Sequence, residues 1–233
     1  VSAADEAQAW AAAVQALAGR RGLRYEPVGG INPADAPAAL CVGGANRLTG
    51  ELAEGFWGSS CDADERPEGR FLAKALLPHA VLCKSHMPDL AAVMPAFNVE
   101  SIEARPDEFV MKHVARKVEF ESIEFNKRFL ATVPSQYDPV ALRELFSPGF
   151  LDWVTTIANE IDFGVSECQL WFSWRLRDRS SAELEAALDA GGQLFRRVQR
   201  EMDEHGVNTY PPGPWHAGLE PFPSSLAPPR RAQ

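Results

Sequence analysis

Apolar and polar positions along this chain change period several times, and each change predicts an element. Between Asp5 and Ala18, Trp10, Val14 and Leu17 recur at helical spacing with alanine filling the rest. That pattern predicts an N-terminal helix, with Gly22 placed to end it. "LRYEPV" then reads as a short strand. "GGINPADAP" reads as a loop, because two glycines and two prolines deny it regular structure. From Ala39 to Val118, "ALCV", "ELAEGFWGSSC", "FLAKALLPHAVLCKS", "FNVESIEAR" and "FVMKHVARKVEF" are strand-like runs. The clusters "GGANRLTG" and "DADERPEGR" read as turns between them. Short turns favour antiparallel pairing, so this stretch predicts a twisted meander. Pro78 removes a ladder donor and marks an edge or a bulge.

The pattern then turns helical. In "EFESIEFNKRFLATV" neither period holds. The reading is one helical turn capped by Ser122, with Phe125 dropped into the core and Asn126 in a left-handed conformation. The chain then leaves as a strand with Phe129, Ala131 and Val133 on one face. A rival reading recruits Glu119, Glu121 and Glu124 as acid, base or cation ligands. "YDPVALRELF" and "SPGFLDWVTTIANE" each offer a cap followed by proline, Asp138-Pro139 and Ser147-Pro148, which predicts two short helices or one broken helix. Leu151, Val154, Ile157 and Ala158 would share one face.

"SECQLWFSWRLR" alternates most cleanly. Cys168, Leu170, Phe172, Trp174 and Leu176 point one way, and Gln169, Trp171, Ser173, Arg175 and Arg177 the other, as in a half-buried strand. The last helix starts at Ser180, with Glu183 at capping-box spacing. Its stripe is Leu184, Leu188, Phe195, Val198 and Met202, and Gly206 is placed to end it. Gly191-Gly192 inside it reads as a kink or a close contact. "PPGPWHAGLEPFPSSLAPPRRAQ" carries too much proline for a core and reads as a disordered or extended tail.

Composition adds limits. Hydrophobic residues are 45% and charged residues 24% of 233, which suits a globular core. The net charge of −9 repels nucleic-acid backbones and anionic membrane surfaces. The N-terminus places its acids first and its basic pair last, opposite to a secretory signal, and no apolar run reaches the length of a spanning helix. Cys41, Cys61, Cys83 and Cys168 form no CxxC and read as reduced, buried thiols of a cytosolic protein.

Candidate chemistry is thin. His79, Cys83 and His86 share a face only on a helix, and the surrounding residues favour a strand, so no metal site is assigned. Cys83 or Cys168 with His113 would make a nucleophile–base pair, but nothing in the sequence joins them. No glycine signature of phosphate or dinucleotide binding occurs, so no catalytic or cofactor-binding residue is assigned. Arg175, Arg177 and Arg179 with Trp171 form one basic, aromatic-flanked set, and Arg196, Arg197 and Arg200 another. Each reads as a solvated face or as a docking surface for an acidic or phosphorylated partner. The tail reads as a solubilising extension or as a proline-rich ligand for a groove on another protein, with Trp215 and Phe222 as its anchors. The candidate interaction residues are therefore Trp171, Arg175, Arg177, Trp215 and Phe222.

"ESIEFNKRFLATV", followed by "YDPVALRELFSPGFLDWV" and "ECQLWF", resembles an uncharacterised bacterial family, a domain of unknown function. Its core is Glu-Ser-x-x-Phe-Asn, a basic residue, a short strand and two proline-led helix starts. The matching positions are Glu121, Ser122, Phe125, Asn126, Lys127, Asp138, Pro139 and Pro148. The likeness is good over 115–175 and loose over 23–114. It implies a fold and no reaction. Many relatives carry transmembrane helices ahead of this region, which this sequence does not show.

Together these readings describe an α+β chain with a single domain over 1–206. It comprises an N-terminal helix (1–22), an antiparallel β-meander sheet packed by short helices (23–177) and a long C-terminal helix (178–206). A disordered Pro-rich tail (207–233) follows. The favoured function is a cytoplasmic, non-enzymatic interaction or scaffold module without cofactors, meeting a protein partner through the C-terminal helix or tail. The alternative is a small-molecule-binding or hydrolytic enzyme with a site between sheet and helices, where His113, Glu121 or Glu124 would converge.

Overall fold

Ser2 opens the first helix, α1 (Ala3–Arg21), with a complete capping box: its side chain accepts from the Asp5 N–H, and the Asp5 carboxylate accepts from the Ser2 N–H. Gly22 ends the helix in the left-handed region, at φ 67°. Trp10, Val14 and Leu17 are buried, as their spacing predicts, and so is Ala18. The computed structural model describes residues 2–28, 44–54, 56–63, 80–86, 96–102, 115–135, 137–157, 161–166 and 169–205. They fall into two units. The first draws on Val1–His86 and Arg175–Gly192, the second on Met87–Trp174 and Gln193–Gly218.

In the first unit four strands pair antiparallel in chain order: β1 (Arg24–Val28), β2 (Gly44–Ala53), β3 (Phe56–Ala63) and β4 (Ala80–His86). This is a meander. Of the cluster "GGANRLTG", expected as a turn, Gly44–Gly50 form most of β2 instead. Two register shifts, between Ala45 and Leu48 and between Glu51 and Ala53, let the strand carry residues that fit a regular ladder poorly. Leu48 and Leu52 supply its buried face.

The second unit holds β5 (Phe97–Ser101), β6 (Ala115–Val118), α2 (Ile123–Arg128), β7 (Phe129–Pro134), α3 (Pro139–Leu145), α4 (Pro148–Thr156), β8 (Ile161–Ser166) and β9 (Gln169–Arg175), whose last residue falls to the first unit. Its strands are antiparallel in the order β9-β8-β5-β7-β6. Asp138 and Ser147 cap α3 and α4, with proline following each cap, so the chain forms two helices. Leu151, Val154 and Ile157 are buried; Ala158 lies outside the described residues. Phenylalanines link these elements. Phe120 meets Phe125 at 5.1 Å and Phe146 at 6.0 Å, and Phe146 stacks on Phe150 at 4.5 Å.

Strand β8 has no counterpart among the strands expected from the sequence. Asp162 and Gly164 interrupt its apolar run, yet Ile161 through Val165 are all buried. Gly164 is required there. A Cβ would lie 2.3 Å from the Phe97 carbonyl oxygen and 2.9 Å from the Trp171 ring. Strand β9 corrects a second expectation. Leu170, Trp171, Phe172 and Ser173 are all buried, so the strand is covered on both faces. Phe172 meets Phe195 edge-on at 6.4 Å, while Trp171 lies over Gly164, its partner in register. Trp174, expected inside, is half-buried.

Helix α5 (Ser181–His205) buries the expected stripe, Leu184, Leu188, Phe195, Val198 and Met202. Gly191 and Gly192 are buried within it, and the division between the units follows Gly192. Only half of the expected capping box forms. Ser180 accepts from the Glu183 N–H at 3.1 Å, but the Glu183 carboxylate reaches back to the N–H groups of Arg177 at 2.7 Å and Asp178 at 2.9 Å.

Candidate functional site

The densest polar arrangement in the first unit centres on Asp62 of β3. One carboxylate oxygen accepts from the Trp10 indole N–H at 2.7 Å and from the Asn46 side-chain amide at 2.8 Å. The Tyr25 hydroxyl donates to the Asn46 carbonyl at 2.9 Å. The Arg179 guanidinium stands 3.9 Å from Asp62 and lies over the Trp10 ring at 5.7 Å. Burial raises the Tyr25 pKa first, and the Asp62 charge raises it further.

Local structure explains how these groups meet. Asn46 and Arg179 are the non-glycine residues with positive φ among the described residues, at 54° and 46°. Asparagine tolerates that region; arginine does so less readily, at a cost of about 1 kcal/mol or more. The irregularity after Ala45 turns Asn46 inward, where it is 7% exposed. Two strained backbones thus serve one carboxylate. Among the described residues the Nε atoms of Arg47 and Arg179 are buried without a hydrogen-bond partner. The cluster binds α1, β1, β2, β3 and the turn before α5 to each other. It contains no nucleophile–base pair, and its chemistry is that of a structural tie.

In the second unit, α4 is held at both ends by side chains of the sign its dipole favours. At its N-terminus the buried Glu201 of α5 accepts from the Ser147 N–H at 2.7 Å and from the Ser147 hydroxyl at 2.8 Å. At its C-terminus Arg128 donates to the Thr155 carbonyl and, at 3.3 Å, to the Ile157 carbonyl. On the outer side of α4 the Arg197 guanidinium sits 4.4 Å from the centre of the Trp153 ring. Both side chains are half-buried, and Arg196 and Arg200 beside them on α5 are exposed.

Ser122 caps α2 by accepting from the Phe125 N–H at 3.3 Å, and Phe125 is fully buried. Asn126, expected to be left-handed, is helical instead. Its N–H reaches the Ser122 carbonyl at 3.1 Å, and its side-chain amide pairs with both backbone groups of Phe120, at 3.1 and 2.6 Å. Chain reversal comes from that clamp. The acids here do not converge. Glu121 is exposed, Glu124 pairs with Lys127 at 2.7 Å, and the Lys117 ammonium holds Glu119 below the usual carboxylate range.

Of the candidate interaction residues, Trp171 is buried at 7% exposure, Arg175 is half-buried and Arg177 is exposed. Trp215 and Phe222 lie outside the described residues, as do His79, His113, Cys41 and Cys168. Cys83 is buried on β4. No group of three potential metal ligands occurs among the described residues. Sequence reasoning missed the Asp62 cluster, whose hydrogen-bonded pairs are 16 to 52 positions apart, and the pairing of Trp153 with Arg197. The one available signal was that Trp153 follows Phe150 by three on a helix whose core face other residues fill.

No family model and no curated protein matches the chain. Among solved structures, the crystal structure of the mycobacterial trehalose monomycolate transport factor A, TtfA, is similar at TM-score 0.55 and 10% identity, over 87% of this chain and 97% of that one. The likeness shows a shared α+β fold. Among the described residues no helix is long and apolar enough to cross a membrane.

Proposed function

We propose that the chain is a non-enzymatic interaction module of bacterial origin, acting in the cytoplasm as an accessory component of a larger assembly. The observation that carries this reading is the arginine-rich outer side of α5 against Trp153. In a chain of net charge −9, Arg196, Arg197 and Arg200 reverse the local sign within five residues. An arginine on an aromatic face, flanked by further arginines, is a frequent anchor of protein interfaces. The fold supports the reading by analogy, since TtfA is a transport factor. The family resemblance over 115–175 attaches no reaction either.

The test is affinity capture from a native lysate with the full chain, a triple variant Arg196→Glu, Arg197→Glu, Arg200→Glu, and a truncation after residue 206. A partner retained by the wild type and lost on charge reversal supports the module and its surface. A partner lost only on truncation moves the contact to Trp215 and Phe222. Absence of any partner refutes the module. Reproducible turnover of a hydrolase substrate panel by the purified full chain favours the enzyme reading.

A further inference from the structure

We infer that the Arg197–Arg200 row beside Trp153 receives an extended acidic segment of a partner protein, with carboxylates at alternate positions. The inference rests on the interaction reading above and names the partner's chemistry. Arginines three apart on a helix place their Cβ atoms about 5–6 Å from each other. Alternate side chains on one face of an extended strand are about 6–7 Å apart. Two such carboxylates therefore match the row without bending either partner.

Three observations favour a waiting site over a solvated face. Like charges one turn apart destabilise a helix. Their intrahelical relief is missing: among the described residues neither Arg197 nor Arg200 pairs with a carboxylate, and nearby Asp203 accepts from Gln199 at 2.9 Å. Finally, Arg197 is already ordered on the Trp153 face, and a guanidinium held that way keeps its N–H edge for a carboxylate. The helix bearing Trp153 is itself fixed at both ends by Glu201 and Arg128. Extended polyanions fit less well. At physiological salt a charge is felt over about 8 Å, so a short segment senses the arginines and their nearest neighbours on the helix, not the chain's whole net charge. A membrane or a nucleic acid would also meet the rest of a −9 surface.

The test uses the full chain and a fluorescein-labelled 12-residue peptide of alternating glutamate and threonine, read by anisotropy at two salt concentrations. Binding should weaken at least tenfold in Arg200→Glu, and comparably in Trp153→Ala. Arg197→Lys, which keeps the charge and loses the planar stack, should weaken it more than Arg200→Lys does. Circular dichroism checks folding; if an Arg197 or Trp153 variant misfolds, the exposed Arg200→Glu decides alone. Equal binding by wild type and Arg200→Glu overturns the inference, as does tighter binding to phosphatidylserine vesicles or single-stranded DNA. If the peptide fails to bind while lysate capture still depends on the arginines, this inference falls and the interaction reading stands.

Discussion

Replacing Asp62 with alanine withdraws one carboxylate oxygen from two donors that have nowhere else to turn. Trp10 is 4% exposed and Asn46 7%, so water cannot replace the lost bonds at 2.7 and 2.8 Å. A hydrogen bond to a charged acceptor contributes about 1.5–3 kcal/mol, giving roughly 3–6 kcal/mol for the pair. The Arg179 ion pair adds little. At 3.9 Å, with the arginine 37% exposed, it is worth about 0–1 kcal/mol. Relaxation of the positive φ angles at Asn46 and Arg179 returns about 1–2 kcal/mol. The expected net loss is about 3–4 kcal/mol. Urea unfolding followed by tryptophan fluorescence reads it as a midpoint lowered by about 1.5–2 M, for a slope near 2 kcal/mol per M. Asp62→Asn keeps one acceptor oxygen and should lose about half as much. A loss below about 1 kcal/mol in Asp62→Ala, or none in Asp62→Asn, would refute the view that this carboxylate ties the first unit together.

Three further outcomes follow from the same geometry. Tyr25 should ionise above the ordinary tyrosine range by absorbance titration, and less so in Asp62→Asn, with burial keeping part of the shift. Because its folded pKa is raised, its contribution to stability is complete below the unfolded value near 10 and is lost as pH climbs through the folded one. Glu201→Ala should cost about 2–4 kcal/mol by thermal unfolding, because Ser147 loses both acceptors and α4 its N-terminal anion; Glu201→Gln should cost less. Gly164→Ala should cost about 3 kcal/mol, since a carbonyl at 2.3 Å cannot yield without moving β5, whereas Gly19→Ala meets nothing within 4 Å and should be neutral or stabilising.

Elements with local signals were legible in the sequence. The caps at Ser122, Asp138 and Ser147 and the stripe of α5 need only nearby residues, and each forms where its spacing puts it. The α+β class followed from them. Failures occur where distant packing overrides local pattern. Residues 44–50 look like part of a turn because they are small and polar, but pairing with β1 and β3 on both sides makes them a strand. Trp171 alternates outward by period, yet burial of both faces of β9 takes it inside. Asn126 has the composition of a left-handed residue, and its side chain found two backbone groups instead. The Asp62 cluster was invisible for a related reason: its donors come from α1 and β2, far away in sequence, and no single position is unusual alone.

The Asn126 clamp also bears on the edge at β6, where the second unit's strand order stops among the described residues. Phe120 lies two residues beyond that strand, and an open N–H and carbonyl there would invite a foreign strand to extend the ladder. The amide occupies both, mimicking a neighbour that never arrives. One side chain thereby closes a rung to self-association, and Asn126→Ala should clump on concentration before it loses its fold.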